Sequence, residues 1–188
     1  MHKHFTLLAF IGAFLLSACA WAGDSQPLLP AADLFVSGQA GYAGFRIPAL
    51  CRLPDGTLLA FAEGRKMSLA DHGDIDVVMR RSADGGQSWE SMRVLADDGV
   101  AYLGNVSPLV DRRDGSVTLL MTWKAPGAVE SKIRSGQMPP AQIWLTRSED
   151  SGRSWSKPAP APGLEKLAAE RGWRWNLPSA CHGLQIEH

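Results

Sequence analysis

The sequence predicts an all-β fold of the β-propeller type, because one decorated turn occurs twice at equivalent places in two repeated units. Both copies read S-x-D-x-G-x-S-W, at residues 82–89 and 148–155. In each unit an Asp-Gly pair, at 55–56 and at 114–115, lies between apolar runs, which is a strong hairpin signal. Four strands per unit, repeated about every 60 residues, are typical of propeller blades. A β-sandwich, which also has short strands joined by turns, is the alternative.

Each unit is predicted to contain four antiparallel strands. A longer connection separates the second and third strands of the second unit, within Lys124–Pro140, and only Gly163–Arg171 has a helical pattern, interpreted as a loop decoration. The predicted strands are Ile47–Leu53, Thr57–Ala62, Ile75–Arg81 and Trp89–Leu95 in the first unit, and Pro108–Val110, Ser116–Trp123, Gln142–Thr146 and Trp155–Pro160 in the second.

We interpret the repeated turn as structural. Its serine and aspartate can accept backbone N–H groups, and its glycine can adopt a positive φ. Its tryptophan is expected to pack on apolar surface where the next strand begins. The residues concerned are Ser82, Asp84, Gly86 and Trp89 in the first copy, and Ser148, Asp150, Gly152 and Trp155 in the second.

Residues 1–22 are predicted to be a signal peptide, because the apolar stretch Phe5–Leu16 is too short to span a membrane and small residues follow it. Residues 16–19 fit a lipobox with Cys19 as the lipid-carrying residue, whereas Ala20–Ala22 fits ordinary cleavage. We favour the lipobox, because a cysteine at this position is otherwise hard to explain. Both alternatives predict export, as a periplasmic, outer-membrane lipoprotein or secreted protein, with residues 23–39 as a linker.

Composition excludes several functions. The net charge is zero and no basic stripe is present, so a nucleic-acid partner has no support. The five histidines are scattered and none is spaced from a cysteine as metal ligands are, so we expect neither a metal nor a cofactor. Cys51 is predicted to be a buried free thiol, although a disulfide between Cys51 and Cys181 remains open.

Arg46 is a charged residue at the start of an apolar strand. Alternation predicts that Arg46 and Pro48 face away from Phe45 and Ile47. The arginine either reaches into water or binds a carboxylate through two parallel hydrogen bonds, a geometry that lysine does not match.

A second charged group follows the second strand of the first unit. Glu63 and Arg65 end that strand, and Asp71 lies in the polar loop that follows, where residues held by a rigid scaffold are well placed for function. Asp74 and Asp76 alternate with apolar residues and are predicted to form the polar face of a strand. A solvated loop is the alternative interpretation.

Three motifs resemble those of the exo-α-sialidases. Residues 45–48 resemble the F/Y-R-I-P motif of that family, and the two repeated turns resemble its Asp boxes. Residues 60–68, with Asp71 after them, are similar to bacterial and lysosomal-type sialidases. The resemblance covers about residues 40–156.

This resemblance implies a six-bladed β-propeller of the sialidase type, of which residues 40–188 would be a part. Blade 1 would cover about 40–98, blade 2 about 104–162 and the start of blade 3 about 176–188, where 183–185 resembles a G-I-Q pattern. The chain is therefore expected to be an N-terminal fragment.

The resemblance also implies that the whole protein removes terminal sialic acid from glycans with retention. Arg46 would be one of three arginines that bind the sialic acid carboxylate, Arg65 would contact ring hydroxyls and Asp71 would be the general acid and base. The tyrosine nucleophile, its glutamate and two arginines would lie in later blades, since neither Tyr42 nor Tyr102 has the family's position. The fragment alone is thus expected to be inactive.

Two other functions remain open. One is a non-catalytic propeller that binds sialylated glycans through Arg46. The other is a glycosidase acting on neutral polysaccharides, against which Arg46 argues, because neutral sugars carry no carboxylate.

Overall fold

The computed structural model describes residues 31–186. The predicted signal peptide, Cys19 and the first part of the predicted linker lie outside the described residues. The described residues form strands β1 Gly44–Arg52, β2 Leu58–Arg65, β3 Ile75–Ser82, β4 Arg93–Ala96, β5 Tyr102–Val110, β6 Val117–Lys124, β7 Gln142–Ser148 and β8 Ala159–Pro160, and helices α1 Glu130–Arg134 and α2 Pro162–Glu170.

The strands form two four-stranded antiparallel sheets, each in chain order. β1 to β4 make the first sheet and β5 to β8 the second, and a single parallel bridge between Ile75 and Tyr102 connects them. The hairpins β1–β2 and β5–β6 turn at Gly56 and Gly115, whose φ angles of 88° and 74° are readily adopted by glycine. The prediction of two four-stranded units is confirmed.

The main apolar core contains side chains of both sheets. β2 contributes Leu59 and Phe61, and β6 contributes Leu119 and Met121, all without exposed surface. Burial of each such side chain contributes about 1.5–3 kcal/mol. The opposite face of the first sheet is covered by Tyr42. Burial on both faces explains the uninterrupted apolar runs at 58–62 in β2 and 77–79 in β3.

The two Asp boxes have the same internal hydrogen bonds. In the first, Ser82 Oγ accepts the N–H of Gly86 at 2.8 Å, and Asp84 accepts both the N–H and the hydroxyl of Ser88. The carboxylate is thereby directed into its own turn. The second box repeats these contacts with Ser148, Asp150, Gly152 and Ser154.

The second box packs against the first sheet. Its carbonyl groups accept hydrogen bonds from Arg81 and Arg93. Trp155 packs edge-on against Phe61, with ring centroids 6.0 Å apart and planes at 86°. This second turn therefore connects the two sheets, whereas Trp89 of the first box is half-buried beside its own turn.

Several element bounds differ from the prediction. β5 begins at Tyr102, six residues before the predicted start at Pro108, and β4 begins at Arg93 rather than Trp89. α1 lies within the longer connection of the second unit, and α2 matches the predicted helix. Neither helix among the described residues has the length and apolarity that a membrane crossing requires.

The segment predicted to start a third blade forms no strand between 176 and 186. It nevertheless runs beside β5, because the N–H groups of Cys181 and Gly183 donate to Val106 and Pro108. Cys181 is an exposed free thiol, so it forms no disulfide with Cys51 in this structure. Cys51 is also free, and its partial burial raises the pKa of its thiol to about 12.

Candidate functional site

The first strands of the two sheets have the same irregularity at equivalent positions. The pairing of β1 with β2 shifts between Arg46 and Ala49, and that of β5 with β6 shifts between Gly104 and Ser107. Within each bulge one residue has a left-handed backbone, Ile47 with φ 52° or Asn105 with φ 49°. This conformation is rare for a β-branched residue, and bulges commonly redirect side chains near active sites.

The bulge changes the predicted orientation of Ile47, not that of Arg46. Phe45 packs with Tyr42 while Arg46 lines a separate cavity, as alternation predicts for that pair. The left-handed Ile47 interrupts the alternation and lines the same cavity as Arg46.

This cavity of about 380 Å³ lies at the bulged ends of β1 and β5, within the size range of small-molecule sites. Three cationic side chains, Arg46, Arg65 and Lys124, line it and outnumber the two carboxylates, Asp71 and Glu130, which favours an anionic ligand. A larger cavity of about 830 Å³ between β7 and α2 is mainly apolar and contains none of the predicted site residues. The residues lining the smaller cavity are Arg46, Ile47, Arg65, Asp71, His72, Tyr102, Asn105, Lys124, Val129, Glu130 and Trp175.

Arg46, Arg65 and Asp71, the three predicted site residues, lie together. Asp71 Oδ1 is 2.7 Å from Arg46 Nη1 and 2.9 Å from Arg65 Nη1. The Asp71 side chain is 76% exposed and that of Arg46 is 42% exposed, so both are accessible to a ligand. The hydrogen bond from Arg65, followed by the charge of Arg46, lowers the pKa of Asp71.

The guanidinium of Arg65 is held by hydrogen bonds on two sides. Its side chain is 1% exposed, and its Nε and Nη2 donate to Glu63 Oε2. Its Nη1 donates to the carbonyl groups of Leu69 and Ala70, both at 2.6 Å, in the loop that carries Asp71. Arg65 therefore connects the end of β2 to the Asp71 loop.

Lys124 is a site residue that sequence reasoning missed. It is 5% exposed, its Nζ donates to the Asp71 backbone carbonyl at 2.9 Å, and this Nζ lies 3.5 Å from the centroid of the Tyr102 ring. Burial lowers its pKa. The repeat could have indicated it, because Lys124 pairs with Tyr102 in the second sheet as Arg65 pairs with Gly44 in the first.

Asp74 and Asp76 both pair with Lys66, as residues on one polar face can, but this face is partly buried. Asp76 is 1% exposed and accepts a hydrogen bond from the Tyr42 hydroxyl at 2.7 Å. Lys66 Nζ lies 2.8 Å from Asp74 and 3.1 Å from Asp76. Burial raises the pKa of Asp76. Neither aspartate lines the cavity, so Asp71 is the aspartate placed to meet a ligand there.

Comparison with known proteins identifies the family. Residues 56–187 match the BNR repeat-like domain family. An exo-α-sialidase of Aspergillus fumigatus is 33% identical over 185 residues, covering 87% of this chain and 45% of the relative. A Bacteroides fragilis sialidase is 34% identical over 165 residues, covering 80% of this chain and 30% of the relative. The chain spans less than half the length of these curated relatives.

Solved structures agree in fold. The Hadza microbial sialidase Hz136 has a TM-score of 0.59 at 30% identity, covering 68% of this chain and 28% of its own. The intramolecular trans-sialidase of Ruminococcus gnavus has a TM-score of 0.65 at 14% identity, covering 82% of this chain and 55% of its own, which supports the fold alone. The two sheets are therefore blades of a sialidase-type β-propeller, and the chain belongs to the sialidase family of BNR-repeat proteins.

Proposed function

We propose that the protein is an exo-α-sialidase that hydrolyses terminal sialic acid from glycoconjugates with retention of configuration. The observation that carries this proposal is the pairing of an exposed carboxylate, Asp71, with Arg46 and Arg65 in a cavity where cationic side chains outnumber carboxylates. A site of this kind suits a sugar that is itself an anion.

Arg46 is proposed to bind the substrate carboxylate. Its partly exposed guanidinium can donate two parallel hydrogen bonds to a carboxylate, which gives both orientation and affinity. In the free protein its Nη1 donates a hydrogen bond to Asp71. A substrate carboxylate that accepts from the same nitrogen would compete with Asp71 for this donor.

Asp71 is proposed to protonate the leaving glycosidic oxygen and then to activate water. A general acid is most effective when its pKa lies near the working pH, but the two arginines lower the pKa of Asp71 in the free protein. When the substrate carboxylate pairs with Arg46, its negative charge would offset the effect of the Arg46 charge on Asp71. The pKa of Asp71 would then rise when substrate is bound, which is when a proton donor is needed.

The nucleophile is proposed to come from outside these two blades. A carboxylate nucleophile would be repelled by the substrate carboxylate beside the anomeric carbon, and sialidases use a tyrosine instead. Tyr42 and Tyr102 are unsuitable, because burial, together with Asp76 beside Tyr42 and Glu63 beside Tyr102, raises both pKa values. We therefore propose that this chain alone is inactive.

Export and lipid attachment at Cys19 are proposed from the sequence of residues 1–22. Metabolic labelling with a palmitate analogue tests this: label should enter the wild-type protein and be absent from Cys19→Ser. Labelling of neither protein would favour cleavage after Ala22.

The enzymatic proposal is tested by incubating the intact protein with sialyllactose and following the products by NMR. Release of free sialic acid, first as the α-anomer, is the expected result. Binding of sialyllactose without release would favour the non-catalytic carbohydrate-binding alternative. Cleavage of asialo polysaccharides but not of sialyllactose would favour the neutral glycosidase.

A further inference from the structure

Glu63 is a fully buried carboxylate that does not line the cavity. Burial of an ionised carboxylate is unfavourable unless hydrogen-bond donors surround it. Its Oε2 accepts two hydrogen bonds from Arg65. Its Oε1 accepts the Tyr102 hydroxyl at 2.7 Å and the Asn105 N–H at 2.9 Å. Both oxygens are thus satisfied by groups from two different blades.

We propose that Glu63 is a positioning residue of the reaction, acting on Asp71 through Arg65. This inference rests on the proposed function. With Nε and Nη2 of Arg65 held by Glu63, the remaining nitrogen is directed at the Leu69 and Ala70 carbonyls and at Asp71. Glu63 therefore determines where the Asp71 loop is held relative to β5.

The backbone of β5 approaches Glu63 closely at Gly104 and Asn105. A Cβ added at Gly104 would overlap Glu63 Oε1 and the Tyr102 hydroxyl, so the close approach requires glycine. At the next residue, the left-handed φ of Asn105 accompanies an N–H directed at Glu63 Oε1. An unfavourable backbone conformation that persists at a cavity is commonly associated with function.

A purely structural role for Glu63 makes a different prediction. Loss of a structural ion pair lowers the stability of the protein, but the molecules that remain folded keep their normal preference among substrates. Loss of a positioning residue changes the chemistry of folded molecules. A displacement of about 1 Å in a catalytic group can cost on the order of 100-fold in rate.

The test is Glu63→Gln in the intact protein, which keeps the shape of the side chain and removes its charge. We expect kcat on sialyllactose to fall on the order of 100-fold. An activated aryl sialoside, whose leaving group needs little proton donation, should lose much less. In an Asp71→Asn background, Glu63→Gln should not change the ratio of the two rates further, because both substitutions act on the same step.

Glu90→Gln is the matched control. Glu90 pairs with the buried Arg81 of the same blade at 2.7 Å, and neither residue lines the cavity. This variant should retain the wild-type ratio of the two rates. If Glu63→Gln does not fold, Tyr102→Phe decides, because it removes one donor to Glu63 Oε1 and should lower kcat on sialyllactose about 5-fold, the equivalent of one hydrogen bond.

The inference would be overturned if folded Glu63→Gln kept the wild-type ratio of the rates on sialyllactose and on the aryl sialoside. If Glu63→Gln does not fold, the same result in Tyr102→Phe would overturn it. A wild-type protein that releases no sialic acid would instead overturn the proposed function, and the inference with it. Measurement of the wild-type protein on both substrates distinguishes the two failures.

Discussion

Gly152 lies where the second Asp box packs against the first blade, and Gly152→Ala tests how tightly the two blades pack. Its φ of 78° is left-handed, and an added Cβ would lie 2.6 Å from Leu59 Cδ2. Leu59 has no exposed surface, so it cannot move away without disturbing the core. We expect about 1–2 kcal/mol from the left-handed conformation and about 1–3 kcal/mol from overpacking.

Gly115→Ala provides the control for this substitution. Gly115 has a similar φ of 74°, but its added Cβ would meet only Pro54 Cδ, at an ordinary 3.9 Å. It should therefore lose only the conformational contribution of about 1–2 kcal/mol. Urea denaturation of the intact protein gives both free energies of unfolding. Equal losses for the two variants would refute the reasoning that the second box packs closely against the core of the first blade.

Substitutions of Asp71, Trp155 and Asp150 give three further tests. Asp71→Asn should reduce cleavage of sialyllactose far more than cleavage of an activated aryl sialoside, since only the leaving group of sialyllactose needs a proton. Equal losses in the two kcat values would assign the general acid to another residue. Trp155→Ala should lower the free energy of unfolding by about 2–3 kcal/mol, less than a fully buried tryptophan, while activity per folded molecule is unchanged; lost activity with normal stability would make the box functional. Hydrogen bonds from Ser154 lower the pKa of Asp150 to about 2, so the stability that its carboxylate contributes is complete above pH about 4 and is lost as pH falls toward 2. In thermal melts, Asp150→Asn should therefore lose less stability than the wild type between about pH 4 and pH 2, and equal losses in the two proteins would contradict this.

Local signals predicted the parts of the fold that local interactions determine. The Asp-Gly turns and the Asp boxes are specified by residues within a few positions of one another, and they lie where the sequence placed them. The predicted start of β5 was wrong because a contact between residues far apart in the sequence determines the backbone there. Gly104 and Asn105 have the composition of a turn, but they form a bulge whose conformation is coupled to Glu63, about forty residues earlier in the chain.

The site was predictable to the extent that motifs and the repeat carry it. The motifs singled out Arg46, Arg65 and Asp71, and the structure brings these three residues into one cavity. The ion pair between Arg46 and Asp71 could not be predicted, because it depends on the bulge at Ile47 and on the path of a separate loop. Lys124 was missed although it occupies the position of Arg65 in the second repeat.

The central claim is that Arg46 binds the carboxylate of a sialic acid, and Arg46→Lys in the intact protein tests it most directly. Lysine keeps the positive charge but cannot form two parallel hydrogen bonds. We predict an unchanged melting temperature and a loss of about 10- to 100-fold in kcat/KM on a fluorogenic sialoside, as expected for one charge-assisted hydrogen bond. An unchanged kcat/KM in a variant that melts at the wild-type temperature would contradict the account.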